Sequence, residues 1–336
     1  MSSYKSRSTR DGRCQDICAR VTATPLLQPG DLLPSDSNSK VVGVLNPTVV
    51  LDERRRYLIF RVDEAACSES DSWTFNALLA LPEQAPAGVA YRSHLRVGEL
   101  TCGNSLGNLV ALTGPDGRVM HHIEDPRLTL LEGASLLTYN RIDDKGSTSW
   151  TAHFALPGLM RGHRMILGPD HKHTCLFPER IRDTYYALTR PLARLPLHST
   201  GVWLLESPDL VYWGVPRPLI LPRQTYWDSR RTGPCGPPLH IERGWLQLYF
   251  GVDHDNSYHI GAALLDHMNP GTLLKRSRAP VLSPALEWER SGRRADAVFS
   301  GGCEAVDGRL RIYYGAADTC LGIAEVSIPD LLRTLE

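Results

Sequence analysis

RRYLIFRVD, residues 55–63, opens on two arginines, runs through Tyr57, Leu58, Ile59 and Phe60, and closes on Arg61 and Asp63. Apolar residues in a short run bounded by polar ends read as a strand. Four further segments repeat the design: SLLTYNRID (135–143), TYYALTRP (184–191), WLQLYFGVD (245–253) and LRIYYGAAD (310–318). Each follows a polar or glycine-containing turn. Four of the five end in Asp, and three carry Arg just before the end. Their ends, at 63, 143, 191, 253 and 318, stand 80, 48, 62 and 65 residues apart. That interval holds one four-stranded sheet per step, with insertions. The pattern predicts an all-β fold, a five-bladed β-propeller. Arg61, Asp63, Arg141, Asp143, Arg190, Asp253 and Asp318 are then expected to converge as a charged ring at one mouth of the central channel. An ordinary sandwich with its charged strand ends in separate loops is the competing arrangement. Only IPDLLRTLE (328–336) reads as a helix.

Composition narrows the function classes. The 336 residues carry 37 Lys and Arg against 37 Asp and Glu. A formal net charge of zero gives no push towards nucleic acid or an acidic membrane surface. No run approaches the eighteen apolar residues of a membrane span. The basic start MSSYKSRSTRDGRCQDICAR lacks the apolar core of a secretory signal. Residues 1–24 read as a flexible basic N-terminal arm and 25–336 as the propeller domain. The eight cysteines are scattered with no CxxC pair, a pattern of reduced thiols in a cytoplasm rather than of a disulfide frame.

A mouth of mixed charge suits a polyhydroxylated or anionic ligand, because carboxylates accept from sugar hydroxyls and Arg grips phosphate bidentately. Tyr226, Trp227 and Tyr258, in polar turn-rich stretches, are candidate sugar-stacking rings. HHIEDPRLTL (121–130) places Glu124, Asp125 and Arg127 around Pro126 at a strand entrance. Read alone, this is a turn with a solvated salt bridge. At a funnel mouth it fixes a carboxyl on rigid backbone, with Arg127 bracing the turn and Glu124 pressing on Asp125 by like charge. HKH (171–173) offers two imidazoles to a metal, but no third ligand is evident, so no metal is expected and a loop beside an anion position is the preferred reading.

These residues resemble glycoside hydrolase family 130, the β-mannoside phosphorylases and related β-mannosidases. The landmarks run in order from GDLLPSDSNSK (30–40) through LNPTVV (45–50), IFRVDE (59–64), IEDPRLTL (123–130), CLFPERI (175–181), LTRP (188–191), VWLLESPDLVYWG (202–214) and GWLQLYFGVD (244–253) to YHIGAALLD (258–266) and IYYGAADT (312–319). The resemblance implies a five-bladed propeller and Asp125 as the catalytic acid, its proton relayed through a hydroxyl of the bound mannose. It implies Asn46, Arg61, Asp63, Tyr258 and Asp318 around that mannosyl unit. It places Lys172, Arg190 and Arg231 at the phosphate, while Phe250 stands where the family's YHG motif has histidine. Arg293 and Arg294 stand where relatives carry VPN-type residues, with Asp296 near the family's asparagine.

The expected reaction is inverting phosphorolysis of a β-mannoside to mannose 1-phosphate. Inorganic phosphate is the co-substrate, with no other cofactor. The alternative is an inverting β-mannosidase whose base would be Glu179, Glu206 or Glu304; a non-catalytic glycan-binding propeller is the third reading. The expected partners are a β-mannoside oligosaccharide and phosphate, with no nucleic acid and no membrane. A homo-oligomer is compatible with the sequence, which leaves the linkage open.

Overall fold

The computed structural model describes residues 16–67, 91–143, 146–192 and 200–336. Within them the chain forms five antiparallel sheets. The first blade comprises Ser39–Asp52, Arg55–Ala66, Tyr91–Leu100 and Leu106–Ala111; the second comprises Ile123–Leu131, Ala134–Asp143, Gly146–Ala155 and Leu159–Leu167. The third comprises His171–Leu176, Tyr185–Pro191, Val202–Ser207 and Gly214–Ile220. The fourth runs from Arg231–Pro234 through Gly244–Val252 and Tyr258–Leu265 to Leu273–Arg276, with Leu239–Ile241 pairing beside its second strand. In the fifth, Val298–Val306, Arg309–Ala316 and Cys320–Ser327 are joined by Ala19–Arg20, which lies against the last of them. The fold is a five-bladed β-propeller.

All five repeated segments are the second strands of their blades. The innermost strands, which line the axis, are the ones that precede them. The repeat was real, but it was set one strand further out than a channel wall.

Each pair of neighbouring blades shares its own apolar core, so an inner strand must be apolar on both faces. Leu58, Phe60 and Val62 pack with Tyr313, Leu321 and Ile323 of the fifth blade. Ile59, pointing the other way, packs with Ile123, Leu137 and Tyr139 of the second. The same alternation sends Tyr186 and Leu188 towards Trp245 and Tyr249 of the fourth blade and Ala187 towards Leu131 and Leu136 of the second. Truncating a fully buried Leu58 to Ala would cost about 3 kcal/mol, the usual loss for an unfilled core leucine. Period two then carries Arg61 out on the face of Ile59, and Arg190 out on the face of Leu188, towards their respective neighbours. The seams between blades therefore deliver charged side chains to one end of the axis.

The start of the chain departs from expectation. Residues 1–15 of the anticipated arm lie outside the described residues, but 16–24 are docked. Ala19 and Arg20 pair with Glu325 and Ala324. Cys18 is buried, and Arg20 grips Glu289 with bonds of 3.1 and 2.9 Å. Hydrophilic composition had read as a loose arm because the partner of this strand lies at the other end of the sequence. The expected C-terminal helix is present at Ile328–Arg333, capped by the Ser327 hydroxyl on the Asp330 amide, and a short helix, Glu287–Arg290, carries Glu289. Among the described residues all seven cysteines are free, and no helix is long and apolar enough to cross a membrane.

Candidate active site

The site is built on bulges. In the innermost strands of the first, second and third blades, the pairing register slips between Leu45 and Thr48, between Glu124 and Arg127, and between Lys172 and Cys175. At each slip one residue takes the left-handed conformation: Asn46 at φ 50°, Asp125 at φ 56° and His173 at φ 59°. Asn, Asp and His are the residue types that tolerate this region best. Such positions cost on the order of 1–3 kcal/mol and persist where surrounding structure over-determines them. A bulge re-aims its side chain. Here three consecutive blades re-aim theirs at one another. Asn46 Nδ2 donates to Asp125 Oδ1, and His173 Nε2 lies 3.3 Å from Asp125 Oδ2. The carboxyl implied as the acid is thus addressed at both oxygens, and it is only 4% exposed.

Around this line the charges sort into two groups. On one side, Arg61 forks onto Asp63 at 2.6 and 3.0 Å and reaches Glu124 at 2.5 Å. Lys172 bonds the other oxygen of Glu124. Arg293 holds Asp63 at 2.7 Å. Burial alone would raise the Asp63 carboxyl, but Arg61 and Arg293 outweigh it and bring it down to about 2. Burial pushes the Asp318 carboxyl up, against the pull of Arg293, Arg294 and Arg61. Gly43 leaves room for this arrangement, since a Cβ there would stand 2.6 Å from both Arg293 Nη1 and the Asp318 carbonyl.

On the other side, Arg190 and Arg231 come together without a carboxylate. Among the described residues neither forms an ion pair. Arg190 donates to His173 Nδ1 at 3.3 Å and Thr200 Oγ1 at 3.5 Å; Arg231 donates to the Tyr258 hydroxyl at 2.9 Å. Burial first, and then the charge of Arg231, push Arg190 down to about 10. Arg294 lies over the Tyr258 ring, 4.3 Å from its centroid, and Phe250 stacks near-parallel to that ring at 5.6 Å. One buried and one half-buried guanidinium group beside a hydroxyl, with no ion-pair partner among the described residues, make a receptor for an anion.

The structure therefore assembles Asn46, Arg61, Asp63, Asp125, Lys172, Arg190, Arg231 and Tyr258 at one end of the axis, with Asp318 at the seam between the fifth and first blades. Lys172 is engaged by Glu124 rather than free beside the arginines. The rest of the expected ring does not gather. Arg141 lies over Trp150 and pairs with Asp143 at 3.4 Å, and Asp253 is occupied by its own turn and by His259 at 3.1 Å. Trp227 stacks on Tyr249 and fills the space above Gly251 and Gly261, and Tyr226 packs under Arg223. His171 and His173 turn to different partners, Thr189 and Asp125, so HKH does not present two imidazoles to one metal.

The three glutamates proposed as a hydrolytic base lie at the opposite end of the blades. Glu206 pairs with Tyr186, near the start of the strand whose far end carries Arg190. Glu179 meets His240, which pairs with Trp245 at the start of the strand that ends beyond Phe250. Glu304 lies five residues along its strand from Phe299, about 16 Å at strand rise, where Arg56 at 2.7 Å and the Tyr313 hydroxyl at 2.6 Å hold it.

Sequence reading did not place His173 beside the acid, and it named Arg293 at a departure from the family pattern without its partner Asp63. The signal for His173 was the parallel between Asn46, Asp125 and His173. Each stands two residues ahead of an inward residue of its innermost strand: Thr48, Arg127 or Cys175. Arg127 itself is fully buried and donates to the Pro126 carbonyl at 2.8 Å, bracing the turn.

A family model described as β-1,4-mannooligosaccharide phosphorylase matches residues 110–336, more than half of the chain. The chain belongs to glycoside hydrolase family 130. Among curated members, the β-1,2-mannobiose phosphorylase of Listeria innocua is 28% identical over 351 residues, covering 94% of this chain and 98% of that protein. A 1,2-β-oligomannan phosphorylase of Thermoanaerobacter is 33% identical over 212 residues, 62% of this chain and 69% of its own. The structure of the Listeria innocua enzyme with β-1,2-mannobiose superposes with a TM-score of 0.81 at 26% identity, over 94% of this chain and 98% of that one.

Proposed function

We propose that this family 130 propeller is an inverting β-mannoside phosphorylase, with Asp125 as the proton donor and Arg190 and Arg231 as the core of the phosphate site. The observation that carries the reading is the pair of guanidinium groups, without an ion-pair partner among the described residues, beside the carboxyl that Asn46 and His173 hold. A phosphate dianion needs no deprotonation before it attacks. It needs cations to bind and aim it, and an acid for the leaving group. A phosphate oxygen bonds to the anomeric carbon as the glycosidic C–O bond breaks. The leaving oxygen takes a proton that starts on Asp125 and passes through a mannose hydroxyl. The products are mannose 1-phosphate and the shortened glycan, and Asp125 recovers its proton from solvent or phosphate.

Arg61, Asp63, Asn46, Tyr258 and Asp318 form the mannosyl pocket in this reading, and Lys172 fixes Glu124 at its edge. Hydrolysis would instead require a carboxylate base on the opposite side of the sugar. Glu179, Glu206 and Glu304 are all remote from Asp125. Phosphate is the co-substrate, and the reaction calls on no further cofactor. Scattered free thiols support a reducing, cytoplasmic setting.

The test is incubation with β-1,2-mannobiose, and in parallel with β-1,4-mannobiose, with and without inorganic phosphate. Mannose 1-phosphate formed only when phosphate is present is the expected result. Free mannose at equal rates in both buffers would overturn the proposal. The β-1,2 disaccharide is the first choice of probe because the Listeria innocua relative, which aligns over nearly the whole chain, is named for it.

A further inference from the structure

We infer that His173 is a positioning residue that links the Arg190–Arg231 anion site to Asp125. The inference rests on the phosphorylase reading and deepens it by coupling the phosphate site to the acid.

The geometry fixes the state of the imidazole. Arg190 Nε carries a hydrogen and cannot accept, so Nδ1 of His173, 3.3 Å away, must present its lone pair. In the neutral ring the remaining hydrogen is then on Nε2, the nitrogen that faces Asp125 Oδ2 at 3.3 Å. Burial, followed by the charges of Arg190, Arg127, Lys172 and Arg231, holds His173 well below the usual histidine range. The ring therefore stays neutral at working pH and donates one N–H to the carboxyl. Its plane is set by aromatic neighbours: Phe250 meets it edge-on at 5.2 Å and Phe299 at a tilt at 5.1 Å. The left-handed backbone at position 173 aims it inward. An imidazole oriented by a second group through its far nitrogen is a familiar way of fixing both tautomer and direction.

The chain of contacts runs from Arg190 through His173 to Asp125, with Asn46 on the far oxygen. An anion that draws on Arg190 acts on the same guanidinium that orients the ring holding the acid. The other charged groups facing Asp125 and His173 are Arg61, Glu124, Lys172, Arg127 and Arg231, and none of them reaches Asp125 Oδ2 in this arrangement.

A hydrogen bond donated to a carboxylate favours its charged form. Removing it lets the group keep its proton to higher pH. The test compares His173→Leu, which retains bulk in the aromatic cage, with His173→Gln, whose amide can both accept from Arg190 and donate to Asp125. Both are assayed beside the parent for mannose 1-phosphate release across pH, with thermal melts to confirm folding. His173→Leu is expected to lose at least tenfold in kcat and to move the alkaline limb of kcat/KM up by half a pH unit or more. His173→Gln is expected to recover most of both. A His173→Leu enzyme within twofold of the parent overturns the inference. So do two variants that lose rate equally with the limb unmoved, which is the behaviour of a packing residue. If His173→Leu fails to fold, His173→Gln decides alone: near-parental rate and limb support the role, and a tenfold loss with an unmoved limb refutes it. A parent that turns over only without phosphate dependence fails the phosphorylase reading instead, and the His173 comparison is then made on that turnover.

Discussion

Replacing Arg190 by methionine separates binding from folding. The residue is 6% exposed and, among the described residues, has no carboxylate partner. Its fall from the ordinary arginine range to about 10 means that the folded protein disfavours the charge by about 3 kcal/mol. For a cation with a lowered value, that cost is present at every pH below about 10 and fades only as pH rises towards the ordinary arginine range, so it applies in full at neutral pH. Against it stand the bonds to His173 and Thr200, at 3.3 and 3.5 Å, worth about 1 kcal/mol each, and a His173 Nδ1 left unsatisfied at a similar cost. The sum is close to zero. Arg190→Met without phosphate should therefore be as stable as the parent to within about 1 kcal/mol, in contrast to most deletions of a buried arginine.

Phosphate binding should tell the opposite story. Charge-assisted bonds lost at about 1.5–3 kcal/mol weaken phosphate roughly 10- to 150-fold. Thermal melts in rising phosphate provide the assay, because a ligand at a hundred times its Kd stabilises by about 2.7 kcal/mol. The parent midpoint should climb and the variant midpoint stay flat, with KM for phosphate rising in step. A variant that climbs with the parent, or one that loses more than about 3 kcal/mol without phosphate, would refute the account of Arg190 as an unpaired anion receptor.

Asp125→Asn should lower phosphorolysis by about a thousandfold or more, in the range of a lost general acid, while keeping the phosphate-induced rise in melting temperature; activity within tenfold of the parent would remove Asp125 from the role. Gly301→Ala would put a Cβ 2.7 Å from the Pro47 carbonyl, 2.9 Å from Arg127 Nη1 and 3.1 Å from the Pro126 carbonyl. It should cost about 1–3 kcal/mol in urea unfolding and disturb both bulges, with kcat falling at least tenfold; a fully active, fully stable variant would show that the bulges tolerate displacement. Arg293→Met weakens the hold on Asp63. Because that carboxyl is lowered to about 2, its contribution is present above pH 4 and lost as pH falls through 2. The variant should lose about 1–2 kcal/mol at pH 6 and much less near pH 2.5, and an equal loss at both would refute the pairing.

The second strand of every blade was legible because it is buried on both sides and announces itself by apolar runs. Leu58 and Ile59 reveal a strand, but nothing in them states that their strand is second from the axis. The innermost strands are shorter or interrupted: His171–Leu176 and Arg231–Pro234 show little apolar periodicity, and LNPTVV and IEDPRLTL are broken by prolines at the bulges. Asp125 was recognisable through its proline and its likeness to a family motif. His173 was not, since its importance arises from a left-handed backbone angle and from Arg190 and Asp125 arriving from other strands. The charged ring was over-read for the same reason. Arg61 and Arg190 ride on faces that turn towards a neighbouring blade at the axis, whereas Arg141 and Asp253 satisfy themselves within their own turns. Residues 16–24 looked like a tail because a strand of two residues carries no periodic signal at all.

The pairing of Ala19 with Glu325 joins positions about 300 residues apart. A ribosome makes the first of these about 300 residues before the second. The opening blades can condense while synthesis continues, because their hairpins are local. The fifth blade remains one strand short until Cys320–Ser327 is available to meet Ala19–Arg20. Among the described residues no strand pairing spans more of the chain, and contacts with so large a loop-closure entropy slow folding. Until it forms, the edge of Cys320–Ser327 is an open template for another chain. The clasp thus ties the covering of that edge to a contact that spans about 300 residues.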